Sequence, residues 1–172
     1  MQEQWFDKKN GLSFVDTAFA GGAAAIDAMV AGTIDLSWPG IPPLLAAAER
    51  GLIPDKVVAV AANNFADREH PGGGVIVAHA IQGWKDLEGK GIASGARNSI
   101  SGAAIEARLK LEGVHGYSFI EIPFPNLGLA VARGNVAAAS MGEPYLTQSL
   151  LRGDGKLLGW VIGGPPLERT AF

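Results

Sequence analysis

Apolar residues fall in short runs cut by glycine, proline or charge, and their spacing alternates between that of a strand and that of a helix. Gln4 to Lys9 reads as the end of a helix and Asn10-Gly11 as a turn. Leu12 to Phe19, with Phe14 and Val15, then reads as a strand. Gly21-Gly22 opens an alanine-rich helix, Ala23 to Val30, that stops at Gly32; Thr33 to Trp38 reads as the next strand, ended by Pro39-Gly40. Pro42 and Pro43 suit the first turn of a helix running through Leu44, Leu45 and Ala48 to Gly51, and Val57 to Ala61 follows as a strand.

After the polar stretch Asn63 to Gly74 come an apolar run at Val75 to Ala78 and a helical turn at Trp84 to Leu87. Lys90 to Ala93 then reads as a strand, and Ala103 to Leu111 as a helix capped by Ser99 or Ser101. Strands at Tyr117 to Ile122, Val136 to Met141 and Leu157 to Ile162 alternate with helices at Leu127 to Arg133 and Pro144 to Leu151. Gly163-Gly164-Pro165-Pro166 reads as an irregular tail. Strands alternating with helices predict an α/β protein with parallel sheets covered on both faces. Ala31-Gly32-Thr33-Ile34-Asp35-Leu36 and Arg133-Gly134-Asn135-Val136-Ala137-Ala138 echo each other, each following a helix and starting a strand, as two lobes of similar topology would require. The boundary falls at Asp67 to Gly74, where charge and glycine concentrate; Gly72-Gly73-Gly74 reads as a flexible connection.

Composition narrows the function classes. In 172 residues, 48% hydrophobic and 18% charged, there is material for a real core, and disorder is excluded. A formal charge of -3, with no cluster of Lys and Arg, supplies no field for nucleic acid. With no cysteine there are no disulfides, thiolate metal sites or cysteine nucleophiles. No apolar run approaches the roughly 20 residues that span a bilayer, so membrane insertion is not expected. The start, Met1-Gln2-Glu3-Gln4-Trp5, has neither the basic nor the apolar region of a secretory signal.

Catalytic signatures are lacking: there is no His-Glu-x-x-His, phosphate loop, Gly-x-Ser-x-Gly or EF-hand loop. His70, His79 and His115 do not have zinc-site spacing and read as solvated; Asp67, Glu69 and His70 share what reads as an exposed loop. No metal, cofactor or catalytic residue is expected. Trp5, Trp84 and Trp160 read as packing residues, whereas Trp38 sits at a junction. Such strand-to-helix junctions carry small or capping residues: Phe19-Ala20-Gly21-Gly22, Ser37-Trp38-Pro39-Gly40, Ser94 to Ser101, and Met141-Gly142-Glu143-Pro144. Taken singly, each is a tight turn or a cap. Together they point to a ligand cleft, because helix starts offer unpaired N–H groups and solutes bind beyond strand ends in open α/β sheets.

These pieces, in register, resemble the periplasmic solute-binding proteins of ABC importers of the nitrate, sulfonate and taurine type, a group that includes thiamine-precursor binders. The matching stretches are Phe6 to Leu12, Phe19 to Gly22, Met29 to Leu36 and Trp84-Lys85-Asp86-Leu87-Glu88-Gly89-Lys90. Most specific is the late block Pro123-Phe124-Pro125-Asn126-Leu127, then Ala132 to Val136, then Gly142-Glu143-Pro144-Tyr145. The resemblance implies a two-lobed periplasmic-binding-protein-like fold (type II), with parallel-rich sheets flanked by helices. Residues 1–74 would be a partial first lobe and 75–162 a second, with a hinge near 67–80 and a tail over 163–172.

It further implies a protein that captures a small anionic solute and presents it to an ABC permease, outside the cytoplasm and without a reaction. Carried over by position, the ligand-binding wall comprises Gly21, Gly22, Ser37, Trp38, Pro39, Gly40, Asn63, Asn64, Ser99, Ser101 and Glu143. Backbone N–H groups and serine hydroxyls would hold the anionic head, Trp38 would cover an apolar part, and Glu143 would accept from an amine. Arg97 is a possible cleft cation, with solvent as its ordinary place. Ala137 stands where the family often carries Asp. The family's first apolar strand and its later chain completing the first lobe have no counterpart here, so an internal portion with exposed apolar edges is expected. Two alternatives stay open: a pyrimidine-related binder or enzyme with Glu143 as its titratable group, and a ligand-sensing module of a larger regulator.

Overall fold

The computed structural model describes residues 9–19, 21–53, 58–60, 65–168 and 170–171. Its centre is a five-stranded sheet made by β2 (Gly73–Val77), β3 (Gly91–Ser94), β4 (Ser118–Glu121), β5 (Ala138–Gly142) and β6 (Lys156–Ile162), in the order β4-β3-β5-β2-β6. β3 runs parallel to β4 and β5, but β2 is antiparallel to both β5 and β6. The sheet is therefore mixed: its parallel part and flanking helices fit the expected α/β class with parallel-rich sheets, and β2 is the strand that departs from the parallel reading. Helices α3 (Ile100–Leu111), α4 (Leu127–Ala132) and α5 (Tyr145–Arg152) cover it, and one turn of 3₁₀ helix spans Trp84–Leu87.

Alternation along the strands builds two cores. Val75, Val77, Ile92 and Ala138 pack with Ile105 and Leu109 of α3 on one face; Ile76, Ala93, Ala139 and Met141 pack with Leu127, Val131 and Leu146 on the other. The Gly73-Gly74 pair belongs to this packed sheet and is no flexible connection. A Cβ on Gly74 would stand 2.9 Å from Leu157 Cδ1, and one on Gly73 3.0 Å from Ile162 Cδ1. Trp84 packs as expected, with the Arg108 guanidinium 4.6 Å from its ring centre, and Arg108 also donates to the Pro165 carbonyl at 3.0 Å.

The amino-terminal part is built differently. Helices α1 (Gly22–Val30) and α2 (Ile41–Glu49) form where the glycine pair and the proline pair predict them and pack on each other, with Ala25, Ile26, Pro43 and Ala47 buried. The strands expected at Leu12 to Phe19 and Thr33 to Trp38 do not form, nor do 58–60 of the expected Val57 to Ala61 strand; Val57 and Ala61 themselves lie outside the described residues. A strand needs a neighbour to take its N–H and C=O groups, and these stretches belong to no ladder among the described residues. Their apolar side chains are left in solvent: Val15 is 93% exposed and Val60 73%. The expected helix end at Gln4 to Lys9 lies outside the description except for Lys9, which is helical.

β1 (Phe65–Ala66) pairs antiparallel with β7 (Thr170–Ala171), so the stretch read as an irregular tail returns beside the segment that leads into β2. The backbones meet closely there: a Cβ on Gly163 would lie 2.4 Å from the Asp67 carbonyl oxygen, and Arg68 pairs with Glu168.

Candidate functional site

Strand directions gather one edge of the sheet. The carboxyl ends of β3 at Ser94, β5 at Gly142 and β6 at Ile162 fall on the edge at which β2 starts, with Gly73 opposite both Gly142 and Ile162. Beyond this edge the helix starts of α3 and α5 meet those of α1 and α2 around a cleft of about 560 Å³. Gly21, Gly22, Trp38, Pro39 and Gly40 form the wall on the amino-terminal side; Gly95, Ala96, Ser99, Ile100 and Ser101 belong to the facing side. Gly22 sets the approach, because a Cβ there would fall 1.9 Å from the Pro39 carbonyl oxygen.

Of the residues expected at a binding wall, Gly21, Gly22, Trp38, Pro39, Gly40, Ser99, Ser101 and Glu143 line this one cleft, and Ser37 does not. Asn63 and Asn64 lie outside the described residues. The polar side chains have other engagements. Ser99 Oγ accepts from the Gly102 N–H at 3.1 Å and donates to the Ala96 carbonyl at 2.7 Å, acting as the cap of α3. Ser101 is buried, and its carbonyl accepts from Ser140 Oγ at 2.9 Å. Glu143 takes the N–H and hydroxyl of Thr147 at 3.1 and 2.9 Å, so both carboxylate oxygens are bound to the first turn of α5. Polar contact is offered by helix starts such as Ile100 and Ser101, whose N–H groups come before the first i→i−4 bond of α3, from the Ala103 N–H to the Ser99 carbonyl.

Arg97 is not a cleft cation. It pairs with Glu106, stacks 4.5 Å from the Phe119 ring centre, and is absent from the lining. Among the described residues the lining holds one carboxylate, Glu143, one imidazole, His70, and no lysine or arginine. His70, read as merely solvated, sits at this wall because Asp67 holds its loop: Asp67 Oδ1 accepts the N–H groups of Glu69 and His70 at 3.0 and 2.8 Å and lies 3.3 Å from His70 Nδ1. The His70 N–H foremost pulls the Asp67 carboxyl below its ordinary value.

Aromatic and apolar surface makes up what residue-type reasoning missed: Phe65, Phe124, Tyr145, Ile100 and Ile162 join Trp38 in the wall. Phe124 and Tyr145 stack with ring centres 6.0 Å apart and planes 15° from parallel. Both belong to motifs singled out in the sequence, but there they counted as spacing markers. Gly95 admits the Phe124 ring, since a Cβ would stand 2.4 Å from its Cε2.

A family model for NMT1-like proteins matches residues 1–160. Among solved structures, the chain superposes on the alkanesulfonate-binding protein SsuA of Xanthomonas axonopodis pv. citri, solved bound to MOPS, with a TM-score of 0.71 and 24% identity over 86% of this chain and 50% of that one. The periplasmic aliphatic sulphonate binding protein SsuA of Escherichia coli gives 0.67 and 22%, over 96% and 56%. Arginine-bound ArgBP of T. maritima, as a Gly52Ala mutant, gives 0.60 and 18%, over 98% and 71%. The chain thus has the fold of periplasmic binding proteins and spans about half the length of the two sulfonate binders. No curated protein matches it by sequence alone.

Proposed function

The chain belongs to the NMT1-like family, and from that premise we propose that it is the solute-binding part of an ABC import system, holding a small organic anion between its two parts. The observation that carries this reading is the convergence of the starts of α1, α2, α3 and α5 on one cleft of about 560 Å³. With no lysine or arginine among the described residues of the lining, the groups that support anion binding are oriented N–H groups, whose partial positive charge favours a compact negative head. In this reading residues 1–74 and 75–162 are two lobes, 163–172 is the returning tail, and the crossings near 67–80 are the hinge.

The solute would be handed to a membrane permease on the extracytoplasmic side. Among the described residues no helix is long and apolar enough to cross a membrane. Sulfonate is the favoured head because the neighbours from Xanthomonas and Escherichia carry that name; taurine, itself a sulfonate, and nitrate, a smaller oxyanion, are the other candidates. Binding is favoured over chemistry, because Glu143, the carboxylate in the lining, is committed to Thr147. The test is a thermal melt with alkyl sulfonates, taurine, nitrate, aromatic carboxylates and thiamine pyrimidines, each against a salt control. Native-state binding adds about 2.7 kcal/mol at one hundred times Kd. A shift by one anion class is expected; turnover of any of these compounds, or a shift by none, would overturn the proposal.

A further inference from the structure

We infer that the solute carries a flat apolar body, of aryl type, seated between Trp38 and the Phe124–Tyr145 pair, with its anionic head at the start of α3. This rests on the binding reading above and narrows its substrate class.

Three observations carry it. The cleft, at about 560 Å³, falls in the range of roughly 300–1,000 Å³ that encloses drug-sized molecules rather than an inorganic oxyanion. Two of its polar side chains are spoken for: Ser99 Oγ caps its own helix and Glu143 binds Thr147. A solute made wholly of polar groups would find partners at the helix-start N–H groups but lose hydration against the aromatic walls, which is unfavourable. The rings, in contrast, are presented. Trp38 is 63% exposed on the amino-terminal wall, while Phe124 is held on the facing wall by its stack on Tyr145 and by the space Gly95 leaves. A flat hydrocarbon entering here buries apolar area on both sides and offers its face or edge to the Phe124 ring, already held by its stack.

The experiment is calorimetric titration of the whole chain with benzenesulfonate and with methanesulfonate, which share a head and differ in body. Benzenesulfonate is expected to bind at least about tenfold more tightly. Trp38→Ala should cut that ratio to about threefold or less; the exposure of Trp38 makes this change safe for folding. Phe124→Leu, which keeps apolar bulk without the ring, should also reduce the ratio. Equal affinity for the two sulfonates, or a ratio unmoved by both variants, overturns the aryl body and leaves the solute-binding reading standing. Binding of neither sulfonate overturns both.

Discussion

The stretch after α1 and the stretch after α4 leave their helices by one turn and come to different ends. Gly32 and Gly134 sit at φ 72° and 73°. The N–H of Thr33 donates to the Ala28 carbonyl and that of Asn135 to the Ala130 carbonyl, both at 2.9 Å, while the two glycines donate to Met29 and Val131, both at 3.0 Å. This is the paired bond pattern of a glycine helix stop, repeated. Beyond it, Ala138–Gly142 enters the sheet between β3 and β2, whereas Thr33 to Trp38 joins no ladder among the described residues and leaves Leu36 65% exposed. A helix stop closes its bonds within six residues. A strand must find its partners elsewhere in the chain, so equal local sequence does not ensure equal structure.

The sharpest way to break this contrast is to place a charge at matching points. Ala139→Asp puts a carboxylate at a position that is 0% exposed and should cost about 3–5 kcal/mol in a urea titration. Leu36→Asp should stay within about 0.5 kcal/mol. Comparable losses at both would mean that 33–38 is laddered in solution. Amide exchange gives the same contrast without mutation, with β5 slow and 33–38 fast.

Next in size is Gly22→Ala, whose Cβ would fall 1.9 Å from the Pro39 carbonyl oxygen and should cost about 1–3 kcal/mol by overpacking. The loss should stay in the amino-terminal part, removing solute binding while exchange protection in β2, β3 and β5 holds. If sheet protection falls with it, the two parts fold as one cooperative unit.

Gly134→Ala and Gly32→Ala test the turns themselves. A Cβ meets nothing within 4 Å at either position, so only the left-handed backbone is at issue, at about 1–2 kcal/mol. Gly134→Ala should lower the global unfolding midpoint. Gly32→Ala should appear only as faster exchange in α1, and equal effects of the two on the global midpoint would erase the distinction.

The smallest effect is electrostatic. The N–H groups of Gln82 and Gly83 bind Asp86 at 2.7 and 3.0 Å and, Gln82 foremost, hold its carboxyl below the ordinary 3.8, as the His70 N–H does most for Asp67. A carboxyl lowered on folding stabilises above its unfolded value and loses that contribution as pH falls through the lowered one. The melting midpoint should therefore drop below about pH 3.8, with a shallower drop in Asp86→Asn. An unchanged slope in that variant would show that Asp86 contributes nothing to acid stability.

Much of the second half was legible in the sequence. Ser99 before Ile100, proline at the start of α2 and glycine after α4 are local instructions, and the elements from Trp84 to Ile162 fall within a few residues of where the pattern puts them. The direction of β2 was not legible, since an apolar run such as Val75 to Val77 fits a parallel or an antiparallel neighbour equally well. Nor was the aromatic wall. Phe124 and Tyr145 are about twenty residues apart in sequence, and only the return of β5 beside the end of β3 brings them together.

The sequence by itself determined the helices, their caps and stops, the alternation that gives the sheet two apolar faces, and the family, because each rests on contacts within a few residues or on motifs in order. The tertiary structure decided which apolar runs became strands, which way β2 points, that Arg97 turns to Glu106, and that Glu143 is spent on Thr147. Those outcomes depend on pairing across distance, where a group's partner is chosen by the fold rather than by its neighbours in the chain.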